Sequence, residues 1–160
     1  MPGIAEHPSE TRMKLVFTKG SGKFDYMDVV RPGGRTERVN CPKQGIIPHD
    51  MVHYAVEHTL KQRGFLGRVK DGERAGFQMK AEEQSDSVER LVEVFQGDAW
   101  SGGNTPADEM LDLYAVTCSA RNCPALHLDT GDIQAVRKAI VDLTQQWQLV
   151  EVGKSINLEL

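Results

Sequence analysis

One stretch limits the fold more than any other: Pro48 to Gly64, Pro-His-Asp-Met-Val-His-Tyr-Ala-Val-Glu-His-Thr-Leu-Lys-Gln-Arg-Gly. It carries the marks of a helix at both ends. Pro48 suits the first helical position, where its fixed φ fits and its missing N–H would be unpaired anyway. Asp50 puts negative charge in the first turn, and Lys61 and Arg63 put positive charge in the last, as the helix dipole favours. Gly64 reads as a left-handed stop.

Three of the five histidines lie on this helix: His49, His53 and His58. At about 100° per residue, Val52, Val56 and Leu60 form one apolar stripe. His49 and His53 fall inside it, Asp50, Glu57 and Lys61 lie on its flank, and His58 points away. An unpaired donor or acceptor on a buried face costs roughly 1–3 kcal/mol, so the inward pair must find partners.

The chain on either side supplies strands and more helices. Lys14–Lys19, Lys23–Arg31 and Arg35–Asn40 are β-rich runs divided by Gly20-Ser21-Gly22 and Pro32-Gly33-Gly34, which predicts an antiparallel meander. Asp71-Gly72 is a turn signal between Phe65–Val69 and Arg74–Met79, favouring a small hairpin over a glycine-rich flap. A helix is expected over 85–96, opened by a capping-box-like Asp86 and Glu89 and stopped by Gly97. Trp100 then falls in a Gly/Ser loop. A second follows from Thr105 and Pro106 to about Arg121. A third spans about Asp132–Trp147, with Ile133, Val136, Ile140, Leu143 and Trp147 on one face. The alternation to Leu160 closes the chain as a hairpin. The expectation is α+β: an antiparallel sheet from the N-terminal meander and C-terminal hairpin, with about four helices packed on it. Residues 1–12 read as a loose tail and 13–160 as one domain.

Composition excludes some classes. No apolar run approaches the roughly 20 residues of a membrane span, and Met1 to Arg12 lacks the apolar core of a signal peptide. Three cysteines, Cys41, Cys118 and Cys123, form no paired framework. These features point to the cytoplasm. Net charge is −4. Residues 1–80 hold 14 Lys+Arg and 9 Asp+Glu, so +5, and the remainder holds 5 and 14, so −9. The basic residues are scattered and not interleaved with aromatics, which argues against nucleic acid as a partner. Attraction between the halves explains the asymmetry more simply.

The chemistry centres on His49-Asp50-x-x-His53. Its spacing is that of the helical zinc motif H-E-x-x-H, in which two imidazoles share one ion and the intervening acid serves as base. Asp50 is one methylene shorter than the usual Glu, and Pro48 leaves no helical turn before the pair. Glu57 stands roughly 12 Å along the axis from His49, so it can pair with His53 but cannot share an ion with His49. A further ligand has to come from elsewhere: Cys41 lies before the helix, and Cys123-x-x-x-His127-x-Asp129 holds a second set of ligand types. Zinc is the ion such donors suit. Three readings remain open. His49 and His53, with Cys41 or His127, hold a metal. Alternatively, Asp50 or Glu57 orients His53 as a metal-free base, with Cys41 as nucleophile. Or the pair is structural, in a non-catalytic interaction or scaffold protein. No P-loop, nucleophile elbow, kinase set or CxxC is present, and no pattern names a substrate or a protein partner.

The run Cys41-Pro-Lys-Gln-Gly45, then Pro48-His-Asp-Met-Val-His-Tyr-Ala-Val-Glu57, resembles a family of small bacterial proteins. These share a Pro-Lys-Gln-Gly loop, a Pro-His-Asp-x-x-His-Tyr-x-Val-Glu helix and a C-terminal Trp-x-x-Leu-x-x-Gly segment. Trp147 to Gly153 matches that ending with its leucine shifted. The resemblance covers about a quarter of the chain. It implies a small cytoplasmic bacterial protein and assigns no role to any residue.

Overall fold

The computed structural model describes residues 12–33, 35–73, 75 and 82–160. Strands β1 (Lys14–Thr18), β2 (Phe24–Val30) and β3 (Thr36–Pro42) come first. Helices α1 (His49–Leu60), α2 (Phe65–Lys70), α3 (Glu83–Trp100), α4 (Ala107–Ala120) and α5 (Thr130–Gln148) follow, and β4 (Ser155–Glu159) ends the chain. The strands form one antiparallel sheet in the order β3-β2-β1-β4, so the fold is α+β as expected.

Register makes one face apolar. Leu15 lies opposite Val29 on one side and Leu158 on the other, and Phe17 opposite Met27 and Ile156. That face shares a core with Val52 and Val56 of α1, Leu91 and Phe95 of α3, and Ile133 and Val136 of α5. Burial of each such side chain is worth roughly 1.5–3 kcal/mol. Helix α1 packs on α3 and α5, which places its inward face between the sheet and the other helices. No helix among the described residues is long and apolar enough to cross a membrane.

The segment after α1 departs from expectation. Helix α1 ends at Lys61, which is itself left-handed at φ 54, so Gly64 is not its stop. Phe65–Lys70 is a short helix in place of a hairpin arm; most of the second arm, Arg74–Met79, lies outside the described residues. The reason is tertiary: Glu57 accepts hydrogen bonds from the backbone N–H groups of Gly64, Leu66 and Gly67, satisfying the donors that open α2.

Helix α3 runs through Gly97 to Trp100, so Trp100 is helical and not in a loop. Gly97 costs about 1 kcal/mol relative to alanine, and the buried neighbours Phe95, Gln96 and Asp98 on either side hold the helix through it. Glu82 is the residue before α3, so Asp86 and Glu89 do not open it. Pro106 precedes α4 as its cap position, and α5 starts at Thr130 behind a capping box of Asp129 and Asp132. The expected N-terminal tail lies outside the described residues except for Arg12, whose guanidinium meets Glu159 at 3.2 Å. Ion pairs form within the basic half, where Arg31, Arg38 and Lys43 meet Glu37, Asp28 and Asp25, and also between the halves, where Arg12 meets Glu159 and both Arg63 and Arg68 meet Glu82.

Candidate metal centre

Helix α1 presents His49, His53 and Glu57 one turn apart, and α3 lays Glu89 across the first two. His53 Nε2 is 2.6 Å from Glu89 Oε2, and His49 Nε2 is 3.5 Å from Glu89 Oε1. The imidazole rings meet edge to face at 4.8 Å. His49, His53 and Glu89 each offer one ligand atom, and these atoms lie within 4.8 Å of one another, the one such group among the described residues. The His53 side chain is 3% exposed, while those of His49 and Glu89 keep 38% and 32%, so the cluster is closed behind and open in front.

Glu57 is what closes the back. The helical wheel places it on the flank, yet it is buried. Its Oε2 lies 3.3 Å from His53 Nδ1 and 3.0 Å from the Leu66 amide, and its Oε1 accepts from Gly64 and Gly67 at 2.8 Å. Three backbone N–H groups donate to this carboxylate, and His53 Nδ1 faces it as a fourth donor. Nε2 is thereby turned toward Glu89. Gly64 makes the approach sterically feasible: a Cβ there would sit 2.9 Å from the Glu57 carboxyl carbon and 2.6 Å from Val88 Cγ1. His49 has a different support. Gln96 lies beside its ring and helps raise its pKa, and Gln96 Oε1 accepts from Gln44 Nε2 at 2.7 Å.

These contacts set the protonation. Burial opposes a charge on His53, but Glu57 and Glu89 outweigh it and push its pKa up to about 10. Burial likewise opposes charge on His49, and Glu89 reverses the effect. Burial would raise Glu89, yet hydrogen bonds from both histidines hold it well below the usual carboxylate range.

The other expected site residues fall elsewhere. Asp50 is outside the ligand cluster: its Oδ2 is 3.8 Å from Cys41 Sγ. Burial raises the Asp50 carboxyl, with the two histidines pulling the other way. Cys41 is not brought to His49 or His53 as a ligand; it is buried in β3, and burial followed by Asp50 pushes its thiol far up, which leaves it a poor nucleophile. His127 is exposed on the segment after α4 and joins no ligand group. Glu57 touches His53 alone of the pair and lies outside the ligand cluster. His58 points outward and stacks on Tyr54 at 4.9 Å, as its wheel position implies.

The partner that sequence reasoning misses is Glu89. Its place after Asp86 mimics a capping box. The usable signal is its spacing: Glu89, Val92 and Gln96 stand at i, i+3 and i+7, one inward stripe of α3. No family model, curated protein or solved structure matches the chain. The site is defined by its own geometry: two imidazoles and a carboxylate on facing helices, with a buried second carboxylate behind one ring.

Proposed function

We propose that the chain is a metalloprotein in which His49, His53 and Glu89 hold a divalent ion of the zinc class, and that its open side serves hydrolysis of a small molecule. The observation that carries this reading is the Glu57–His53–Glu89 line. Metal-bound histidines commonly donate their other ring N–H to a carboxylate, which fixes the tautomer and the aim of the ring; Glu57 is placed to do this. Two histidines and one carboxylate form a donor set that catalytic zinc uses while keeping a position free. What the ion supplies is Lewis acidity toward a bound oxygen. The protein's part is to hold His53 from behind, aim His49 through Gln96, and leave the mouth between His49 and Glu89 accessible. Asp50 lies outside the cluster, beside the Cys41 thiol. The resemblance to small cytoplasmic bacterial proteins belongs to the same proposal, since the shared helix motif contains His49, His53 and Glu57.

Elemental analysis after zinc loading and dialysis tests it. Near one zinc per chain is expected in the wild type, and a loss in His53→Ala and Glu89→Gln with helical circular dichroism retained. The rival, a scaffold protein with structural histidines, draws on the 2.6 Å contact between His53 and Glu89, which also satisfies both groups without an ion. It predicts a wild type that retains no zinc, and that result would remove the metalloprotein reading.

A further inference from the structure

A pair of thiols stands at the end of α4, away from the histidines. Cys118 is in the last turn and 1% exposed; Cys123, five residues on, is half-buried against the same core. Between them Asn122 is left-handed at φ 55, and the Cys123 N–H donates to the Cys118 carbonyl at 3.0 Å. A bond of this six-to-one kind folds the chain back so that the first and last residues face each other, a position usually filled by an apolar contact. Here both are cysteines, and both are free thiols. Such a backbone pairing holds the two Cα atoms near the roughly 4.4–6.8 Å that a disulfide spans.

We propose that Cys118 and Cys123 are a reversible disulfide site, closed by thiol–disulfide exchange with a small-molecule disulfide of the glutathione type. The more accessible Cys123 thiolate attacks one sulfur of that disulfide. This forms a mixed disulfide and releases one small thiolate, which takes up a proton. Cys118 then loses its proton and attacks the Cys123 sulfur, expelling the second small thiolate. Two protein thiols are oxidised by two electrons and one small disulfide becomes two thiols. The order follows from the surroundings: burial pushes the Cys118 thiol up to about 11, so it resolves and does not initiate. Closure pins the connection to α5. That segment is otherwise held by Ser87 Oγ on the Pro124 carbonyl and by the Leu126 N–H on Tyr114 Oη at 3.1 Å.

The test uses the full chain, reduced and then incubated with oxidised glutathione. Wild-type intact mass is expected to fall by two hydrogens with no adduct retained. A peptide map should join Cys118 to Cys123, and dithiothreitol should reverse the change. Amide exchange at Leu126 should slow several-fold on oxidation. In Cys118→Ser the reaction should stop at a glutathione adduct on Cys123. The proposal is overturned if the wild type keeps such an adduct without closing, does not react, or links Cys41 instead. The wild-type readouts decide the matter even where the variant fails to fold.

Discussion

Replacing Glu57 by Gln changes few atoms and removes the charge at the back of the site. In the wild type four donors converge on this carboxylate: three backbone N–H groups and His53 Nδ1. An amide keeps one oxygen, which can still serve Gly64 and Gly67. Its NH2 group then faces the Leu66 N–H and the His53 ring, so two hydrogen bonds are lost and donors oppose donors. Hydrogen bonds to charged groups are worth roughly 1.5–3 kcal/mol each, which gives a loss of about 3–6 kcal/mol. That is a large share of a typical domain stability of roughly 5–15 kcal/mol. Urea unfolding followed by circular dichroism measures it. Zinc affinity, measured by chelator competition, should also fall about 10- to 100-fold, because His53 loses its orienting partner. Glu89→Gln acts at the open side instead: it keeps a hydrogen-bonding side chain but removes the charge facing the buried His53 ring, so metal-free stability should also fall, by about 1.5–3 kcal/mol, while zinc retention is lost. If Glu57→Gln unfolds at the wild-type urea midpoint with zinc affinity unchanged, the account of Glu57 as the support of His53 is wrong.

Other expectations follow from the same geometry. Gly64→Ala would place a methyl 2.6 Å from Val88 and 2.9 Å from the Glu57 carboxyl carbon; overpacking of this kind should cost about 1–3 kcal/mol in urea unfolding. His53 has a folded pKa of about 10 against an ordinary 6.5, so its contribution to metal-free stability is full below pH 6.5 and fades as pH rises toward 10. Urea midpoints of the metal-free protein should fall across that window, and His53→Gln should flatten the slope. Zinc binding displaces the same proton, so zinc affinity should instead rise with pH, as competition titrations would read. Lys61→Gly relieves a left-handed non-glycine at φ 54 and should raise stability by about 0.5–1 kcal/mol, measured as a shift in the thermal midpoint.

Much of the fold is readable in residue patterns because its signals are local. Alternation in Lys14–Thr18 and Phe24–Val30 and the turn at Pro32-Gly33 suffice for the meander. The inward aim of His53 follows from its place between Val52 and Val56. What escapes is set by distant residues. Phe65–Lys70 is helical because Glu57, from another helix, satisfies the donors at its start; its own four-glycine neighbourhood argues for a turn. Glu57 looks like a flank residue on a wheel that cannot know α2 will cover it. Glu89 joins His49 and His53 across 36 residues of sequence, counting from His53, and no local rule reaches that far. Cys41 fails as a ligand for a plainer reason: strand alternation turns it into the core beside Asp50.

The central strand β1 has unequal neighbours in time. Its pairing with β2 closes a turn of a few residues, whereas Leu15 and Leu158 stand 143 positions apart in sequence (158 − 15). Loop closure over such a separation costs entropy before any contact rewards it. The β1–β2–β3 meander can therefore form early, and β4 docks once the helices have drawn it in. Interactions made by β4 should consequently bear on how fast the native state opens and much less on how fast it forms. The last strand acts as a kinetic latch, and weakening it at Leu158 should appear in the unfolding limb of a chevron.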